Sequence, residues 1–300
     1  MAFCCGYAIE NPWLAMKVHL SHHAIWPPEV RPMHSTHDPK FSVHDLLPQV
    51  VQIAKDAGNI IMAIYNARPE TGGQVSHKAD GSPLTQADLA AHQVIARGLA
   101  QLTPGIPVVS EEDEASQVHR QPSGRFWLVD PLDGTKEFLA RNGEFTVNIA
   151  LIEDGVAVLG AVVVPALNQA YWGCAGHGAF REAAGHTAPI RATPLTERAG
   201  RRLRVLASKS HMNAETQAFL EQLGPHELIQ VGSSLKFCRI AEGSADLYPR
   251  LGPTCEWDTA AGQAVLEAAG GLVLRLDQHR PLRYGKAEPM NPSFSATVAE

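Results

Sequence analysis

The sequence predicts a layered α/β fold, an α+β stacking of helices and sheets. Three observations carry that expectation. Apolar residues recur at helical spacing over residues 43–67, and a capping residue at Thr85 opens a second helix to about Leu102. A central run of short, β-branched segments follows, punctuated by Gly, Pro and Asp. Beyond residue 203, strand-like and helix-like segments alternate, the pattern that lays helices on a sheet.

Residues 1–42 stand apart. Six of the 14 histidines fall at or before His44, and Pro12, Pro27, Pro28, Pro32 and Pro39 cluster there without helical or strand period. A His-rich tract can bind metal, but the segment is expected to be a loose leader ahead of a start at Met33. In the first helix the apolar positions recur at Leu46, Val50, Ile53, Ala54, Ala57, Ile60, Ile61 and Ile64, with Pro48 tolerable only in the first turn. After a polar stretch, Thr85 reads as an N-cap with Asp88 three residues on. Strands are expected at 106–110, 126–129, 145–152, 156–164, 170–174 and 178–181. Gly, Pro and Thr at 185–200 mark a boundary, giving subdomains 43–195 and 196–300. The second contains strand 203–207, helix 214–223, strand 227–231, helix 235–242, strand 245–248, helix 259–269 and strand 272–276.

Hydrophobic residues are 45% and charged residues 19% of the 300, which excludes wholesale disorder, collagen and coiled coil. Lys plus Arg is 25 against Asp plus Glu 31, a net charge of -6 with no basic block, so a general nucleic-acid partner is not expected. Anionic substrates remain accessible if metal ions supply the positive charge. The five cysteines are odd in number and lack CxxC spacing, as expected of a protein in a reducing compartment such as the cytoplasm. No apolar run reaches the ~18 residues of a membrane span.

Three acid clusters sit at element ends. Asp130 ends an apolar strand, Pro131 removes a backbone donor, and Asp133 returns across the turn, so both carboxylates and the Leu132 carbonyl can face one point. Hard divalent cations prefer such an all-oxygen set. Gly134 and Thr135 open a short helix whose free amides suit phosphate. Upstream, residues 108–110 run straight into Glu111, Glu112, Asp113 and Glu114; downstream, Asp258 precedes the small-residue helix after Thr259. Singly these read as a turn, a solvated acidic loop and a cap. Together they could hold two metal ions about 4 Å apart.

The segments Asp130-Pro131-Leu132-Asp133-Gly134-Thr135, Ser110-Glu111-Glu112 and Trp257-Asp258-Thr259-Ala260-Ala261-Gly262 together resemble the inositol monophosphatase superfamily over residues 43–299. Lys136-Glu137-Phe138, Arg141-Asn142-Gly143-Glu144-Phe145-Thr146-Val147-Asn148, Gly232-Ser233-Ser234-Leu235-Lys236 and the run from Glu242 to Tyr248 look like its bisphosphate nucleotidase branch. The resemblance implies the sugar-phosphatase fold of alternating helix and sheet layers. It implies two or three Mg²⁺ ions on Glu111, Asp130, the Leu132 carbonyl, Asp133 and Asp258. Glu111 and Thr135 would position the attacking water, Asp88 would orient Thr135, and Lys78 and Asp80 would lie in a mobile loop over the site. Substrate would meet Glu111, Leu132, Asp133, Gly134, Thr135 and Asp258, with Lys209 and Lys236, and less strongly His211, as readers in the second half.

The implied reaction is hydrolysis of the 3'-phosphate of adenosine 3',5'-bisphosphate, in sulfur assimilation. An inositol monophosphate or sugar bisphosphate phosphatase is the alternative, and a metal-binding regulator without turnover the third. Intact Glu111, Asp88 and Thr135 argue against the regulator. The resemblance allows peripheral association with the cytoplasmic face of the inner membrane, and the sequence leaves oligomeric state open.

Overall fold

The computed structural model describes residues 42–67, 76–77, 83–198, 200–210 and 212–298. The expectations for the leader, for Lys78 and Asp80 and for His211 lie outside the described residues.

A short 3-10 turn, Val43–Leu46, leads into α1, Leu47–Asn66. Pro48 stands in the first turn of α1, where its missing N–H is not required. The two-residue strands β1, Ser76–His77, and β2, Pro83–Leu84, pair antiparallel before α2, Gln86–Leu102. The expected cap is present. Thr85 Oγ1 accepts from the Ala87 N–H at 3.1 Å, and the Thr85 N–H donates to Asp88 Oδ2 at 2.8 Å.

Next come β3, Val108–Ser110, and β4, Arg125–Asp133, then the short helix α3, Thr135–Leu139. The meander β5, Thr146–Glu153, β6, Val156–Val164, β7, Gln169–Cys174, β8, Gly178–Ala183, and β9, His186–Ile190, completes a seven-stranded sheet in the order β3 to β9. Only the β3–β4 pair is parallel.

The rest of the chain runs β10, Leu203–Ser208; α4, Ala214–Leu223; β11, His226–Val231; α5, Leu235–Ala241; β12, Leu247–Arg250; α6, Ala260–Ala268; β13, Gly271–Arg275; and β14, Phe294–Val298. The second sheet has the order β11-β10-β12-β14-β13, with β10 parallel to both its neighbours.

Alternation of side chains along the strands separates two cores. On one face of the first sheet, Trp127, Val129, Ile149 and Leu151 pack under α1 and α2 against Val50, Ile61, Ile95 and Leu99. On the other, Phe126, Leu128, Ala150 and Val162 share a core with α5, α6 and the second sheet. A small third cluster, Val205, Leu220 and Leu247, seats α4 on the far side of that sheet. Helices and sheets therefore alternate in layers, as the sequence predicts.

Three assignments differ. The strand expected to stop before Asp130 continues to Asp133, because β5 resumes pairing beyond an irregularity at Pro131, where no donor is needed. Residues 186–190, expected as boundary, form β9, an exposed edge strand without an apolar face. Residues 294–298 form β14, buried on both faces between β12 and β13 and so without the alternation that signals a strand.

Candidate active site

The parallel register of β3 and β4 pairs Ser110 with Val129, so Glu111 emerges beside Asp130. The Glu111 N–H donates to the Val129 carbonyl at 3.1 Å. Across the irregularity the strands pair at Asp130 with Asn148 and again at Asp133 with Thr146. Leu132 N–H donates back to Asp130 Oδ1 at 3.0 Å, and Thr135 Oγ1 lies 3.5 Å from the Leu132 carbonyl. Asp258 arrives on the turn before α6, where its Oδ2 accepts the Cys255 N–H at 2.8 Å. One carboxylate oxygen from each of Glu111, Asp130 and Asp258 then lies within 4.8 Å of the others.

This gathering of acids is electrostatically costly. Burial pushes Asp258 well above the usual carboxylate range, and the charges of Asp133 and Glu111 push it further; the Cys255 N–H and Arg250 act against them. Asp133 is raised chiefly by burial, against the opposing Lys236 charge and Ser234 N–H. An all-oxygen, anionic, largely buried donor set of this kind fits a hard divalent cation.

The second half closes on the same place. Ser234 N–H donates to Asp133 Oδ2 at 2.6 Å, while Ser234 Oγ meets Asn148 Oδ1 at 2.6 Å and Thr146 Oγ1 at 2.9 Å. Gly232 N–H donates to Glu144 Oε2 at 2.9 Å, which also pairs with Lys209 Nζ at 3.2 Å. Ser210 Oγ donates to Glu137 Oε1 at 2.6 Å. Glu137 and Glu144 thus tether two segments of the second half to the turn at Gly134, which has φ 87°, the left-handed region glycine tolerates. Sequence reading quotes both acids as motif members without seeing this, because their partners are 73 and 88 residues away.

Of the expected site residues, Glu111, Asp130, Leu132, Asp133, Gly134, Thr135 and Asp258 share this neighbourhood. Asp88 is buried and engaged as the α2 cap. Lys209 is exposed and held by Glu144. Lys236 is buried; its ammonium donates to the Val231 carbonyl at 3.3 Å and to the Ser233 carbonyl, and lies 5.2 Å from the Tyr248 ring centroid.

One feature missed by sequence reading is a buried ionic knot beneath Asp258. Glu256, fully buried, accepts from Arg120 Nη1 at 3.3 Å, Gly285 N–H at 2.9 Å, Lys286 N–H at 3.0 Å and Lys286 Nζ.

A layered fold with three converging acids beside a Gly-Thr turn defines a class. The model of the inositol monophosphatase family matches residues 42–297, and the chain belongs to that family. Among curated relatives, the 3'(2'),5'-bisphosphate nucleotidase CysQ of Escherichia coli O157:H7 is 50% identical over 255 residues, 84% of this chain and all of that protein. The CysQ of Haemophilus influenzae is 34% identical over 83% of this chain and 91% of its own length. Among solved structures, CysQ from Bacteroides thetaiotaomicron superposes with TM-score 0.73 at 38% identity, covering 86% of this chain and 98% of that one. Among the described residues, no helix is long and apolar enough to cross a membrane.

Proposed function

We propose that the chain is a 3'(2'),5'-bisphosphate nucleotidase, a phosphoric monoester hydrolase that releases the 3'-phosphate of adenosine 3',5'-bisphosphate to leave AMP. The observation that carries this reading is the convergence of Glu111, Asp130 and Asp258 within 4.8 Å, next to Gly134 and Thr135. The names of the relatives support the substrate class.

Mg²⁺ is the metal of this reading, two or three ions held by Glu111, Asp130, the Leu132 carbonyl, Asp133 and Asp258, and it would supply positive charge against the phosphate oxygens and acidify a water. Glu111 and Thr135 orient the attacking water, with Asp88 behind Thr135. The Gly134 and Thr135 amides hold the phosphoryl group. Lys209, on a segment tethered to Glu144, would meet the rest of the nucleotide. Lys236 acts through the carbonyls it binds, fixing the turn whose Ser234 N–H holds Asp133. The same reading places the enzyme in the cytoplasm, recycling a product of sulfur assimilation.

A phosphate-release panel tests it. Adenosine 3',5'-bisphosphate should be hydrolysed with Mg²⁺ and not after chelation. Equal or faster release from a sugar bisphosphate would overturn the substrate assignment.

A further inference from the structure

The three acids that converge are not held alike. Glu111 follows β3 and Asp130 lies within β4, so the pairing of the first sheet sets both. Asp258 lies between β12 and α6, outside any strand or helix. Its local support is Cys255, whose N–H donates to Asp258 Oδ2 at 2.8 Å and whose carbonyl accepts the Asp258 N–H at 3.3 Å. A turn that bonds only to itself does not fix one carboxylate against two others, so a contact from outside the turn is needed.

Asn291, on the segment that leads into β14, makes that contact. Its Nδ2 donates to the Cys255 carbonyl at 2.7 Å and to Thr259 Oγ1 at 3.0 Å, with Thr254 Oγ1 at 3.3 Å. The Asn291 N–H donates to the Thr254 carbonyl at 2.8 Å, and the Glu256 N–H donates to the Pro289 carbonyl at 2.9 Å, so the two segments run side by side. Asn291 Oδ1 accepts from Lys286 Nζ at 3.2 Å, the same ammonium that pairs with buried Glu256. The chemistry permits one orientation of this amide. An ammonium only donates and a carbonyl only accepts, so Oδ1 must face Lys286 and Nδ2 must face Cys255. The side chain thus grips the turn both before and after Asp258, and ties it to the knot at Glu256.

We infer that Asn291 is a positioning residue for the metal site, holding the turn from Cys255 to Thr259 so that the Asp258 carboxylate is fixed against Glu111 and Asp130 before a cation arrives. This rests on the divalent-metal part of the reading above and not on the identity of the nucleotide. Asn291 acts through Cys255 and is not itself a ligand. Groups that orient a metal ligand in this way typically contribute about tenfold to a hundredfold in metal affinity.

Two readouts on the full chain test it: calorimetric titration with Mg²⁺ alone, and the Mg²⁺ concentration that gives half-maximal phosphate release. The variants are Asn291→Ala, Asn291→Asp and Lys286→Met. Aspartate keeps the shape and the Lys286 contact but turns the donors into acceptors. Its added charge would by itself tighten a cation, so weaker binding in that variant reports the lost donors. Lys286→Met disturbs the knot while leaving Asn291 its donors and its backbone bond to Thr254. Both Asn291 variants should bind Mg²⁺ roughly tenfold or more weakly by both readouts, and saturating Mg²⁺ should restore much of the turnover. Lys286→Met should lower the Tm and leave Mg²⁺ affinity within about twofold of native. Native affinity in either Asn291 variant would overturn the inference. So would equal weakening in Lys286→Met, which would make the effect one of general instability. Native protein that neither binds Mg²⁺ nor needs it would instead overturn the metal reading itself.

Discussion

The backbone N–H of Ser234 donates to Asp133 Oδ2 at 2.6 Å, joining residues 101 positions apart, one at the end of β4 in the first sheet and one on the turn that follows β11 in the second. The acid cluster is therefore not the property of one half. Asp133 is supplied by β4, but its orientation is fixed from the turn between β11 and α5.

That turn can be moved by one methyl group. A Cβ at Gly232 would lie 2.6 Å from Glu137 Cγ and 2.8 Å from the Glu144 carbonyl oxygen. Gly232→Ala should destabilise the fold by about 1–3 kcal/mol and lower kcat, because the segment carrying Ser234 must shift. Thermal unfolding and turnover measured together check this. Native values for both would show that the turn is looser than its contacts imply.

The carboxylates should repel one another until a cation arrives. Asp258→Asn removes one charge from a buried group already pushed up by burial and by its neighbours. Without metal, the variant should melt no lower than the native protein. Its stabilisation by Mg²⁺ should be largely lost, and turnover should fall at least about a hundredfold, as should that of Asp130→Asn. Calcium, with its longer and more flexible coordination, should inhibit the native enzyme. Calorimetry with and without Mg²⁺ gives the comparison, and near-normal turnover in either variant contradicts the metal assignment.

Much of this site was legible in the sequence, and the illegible part has a physical pattern. Glu111, Asp130, Asp133 and Asp258 announce themselves because each acid follows an apolar strand or opens a small-residue helix. Asp88 announces itself through capping. Glu137 and Glu144 do not, because their meaning lies in partners set by tertiary contact. The strand through Pro131 was read too short for a related reason: the proline looks like a terminator, and only the continued pairing with β5 shows otherwise. β9 and β14 escaped because one has no buried face and the other has two.

The knot at Glu256 should be structural and steep. Removing one member of a buried ion pair strands the others, so Glu256→Gln should cost about 3–5 kcal/mol. Denaturant titration measures it. A loss under about 1 kcal/mol would mean that the two cations find water or other partners.

Glu267, on α6, gives a pH signature away from the acid cluster. Burial raises its carboxyl from 4.5 to about 7, with the Gln263 amide and Arg283 acting in the opposite sense. A carboxyl whose folded value is raised favours the fold fully below its unfolded value. That advantage fades as pH climbs from about 4.5 through about 7, by an amount on the order of 3 kcal/mol at most. Glu267→Gln should therefore match the native Tm near pH 4.5 and exceed it increasingly towards pH 8. Parallel Tm curves across that range would place the Glu267 carboxylate in water.

The most direct test of the central claim is the ratio of kcat/KM for adenosine 3',5'-bisphosphate to that for inositol 1-phosphate, measured with Mg²⁺ on the full chain. On the proposed reading the second phosphate of the nucleotide meets Lys209, and a charge-assisted contact contributes roughly 1.5–3 kcal/mol. The account predicts a ratio of at least about ten in favour of the nucleotide. Comparable values would contradict it and place the chain with the inositol phosphatases of its family.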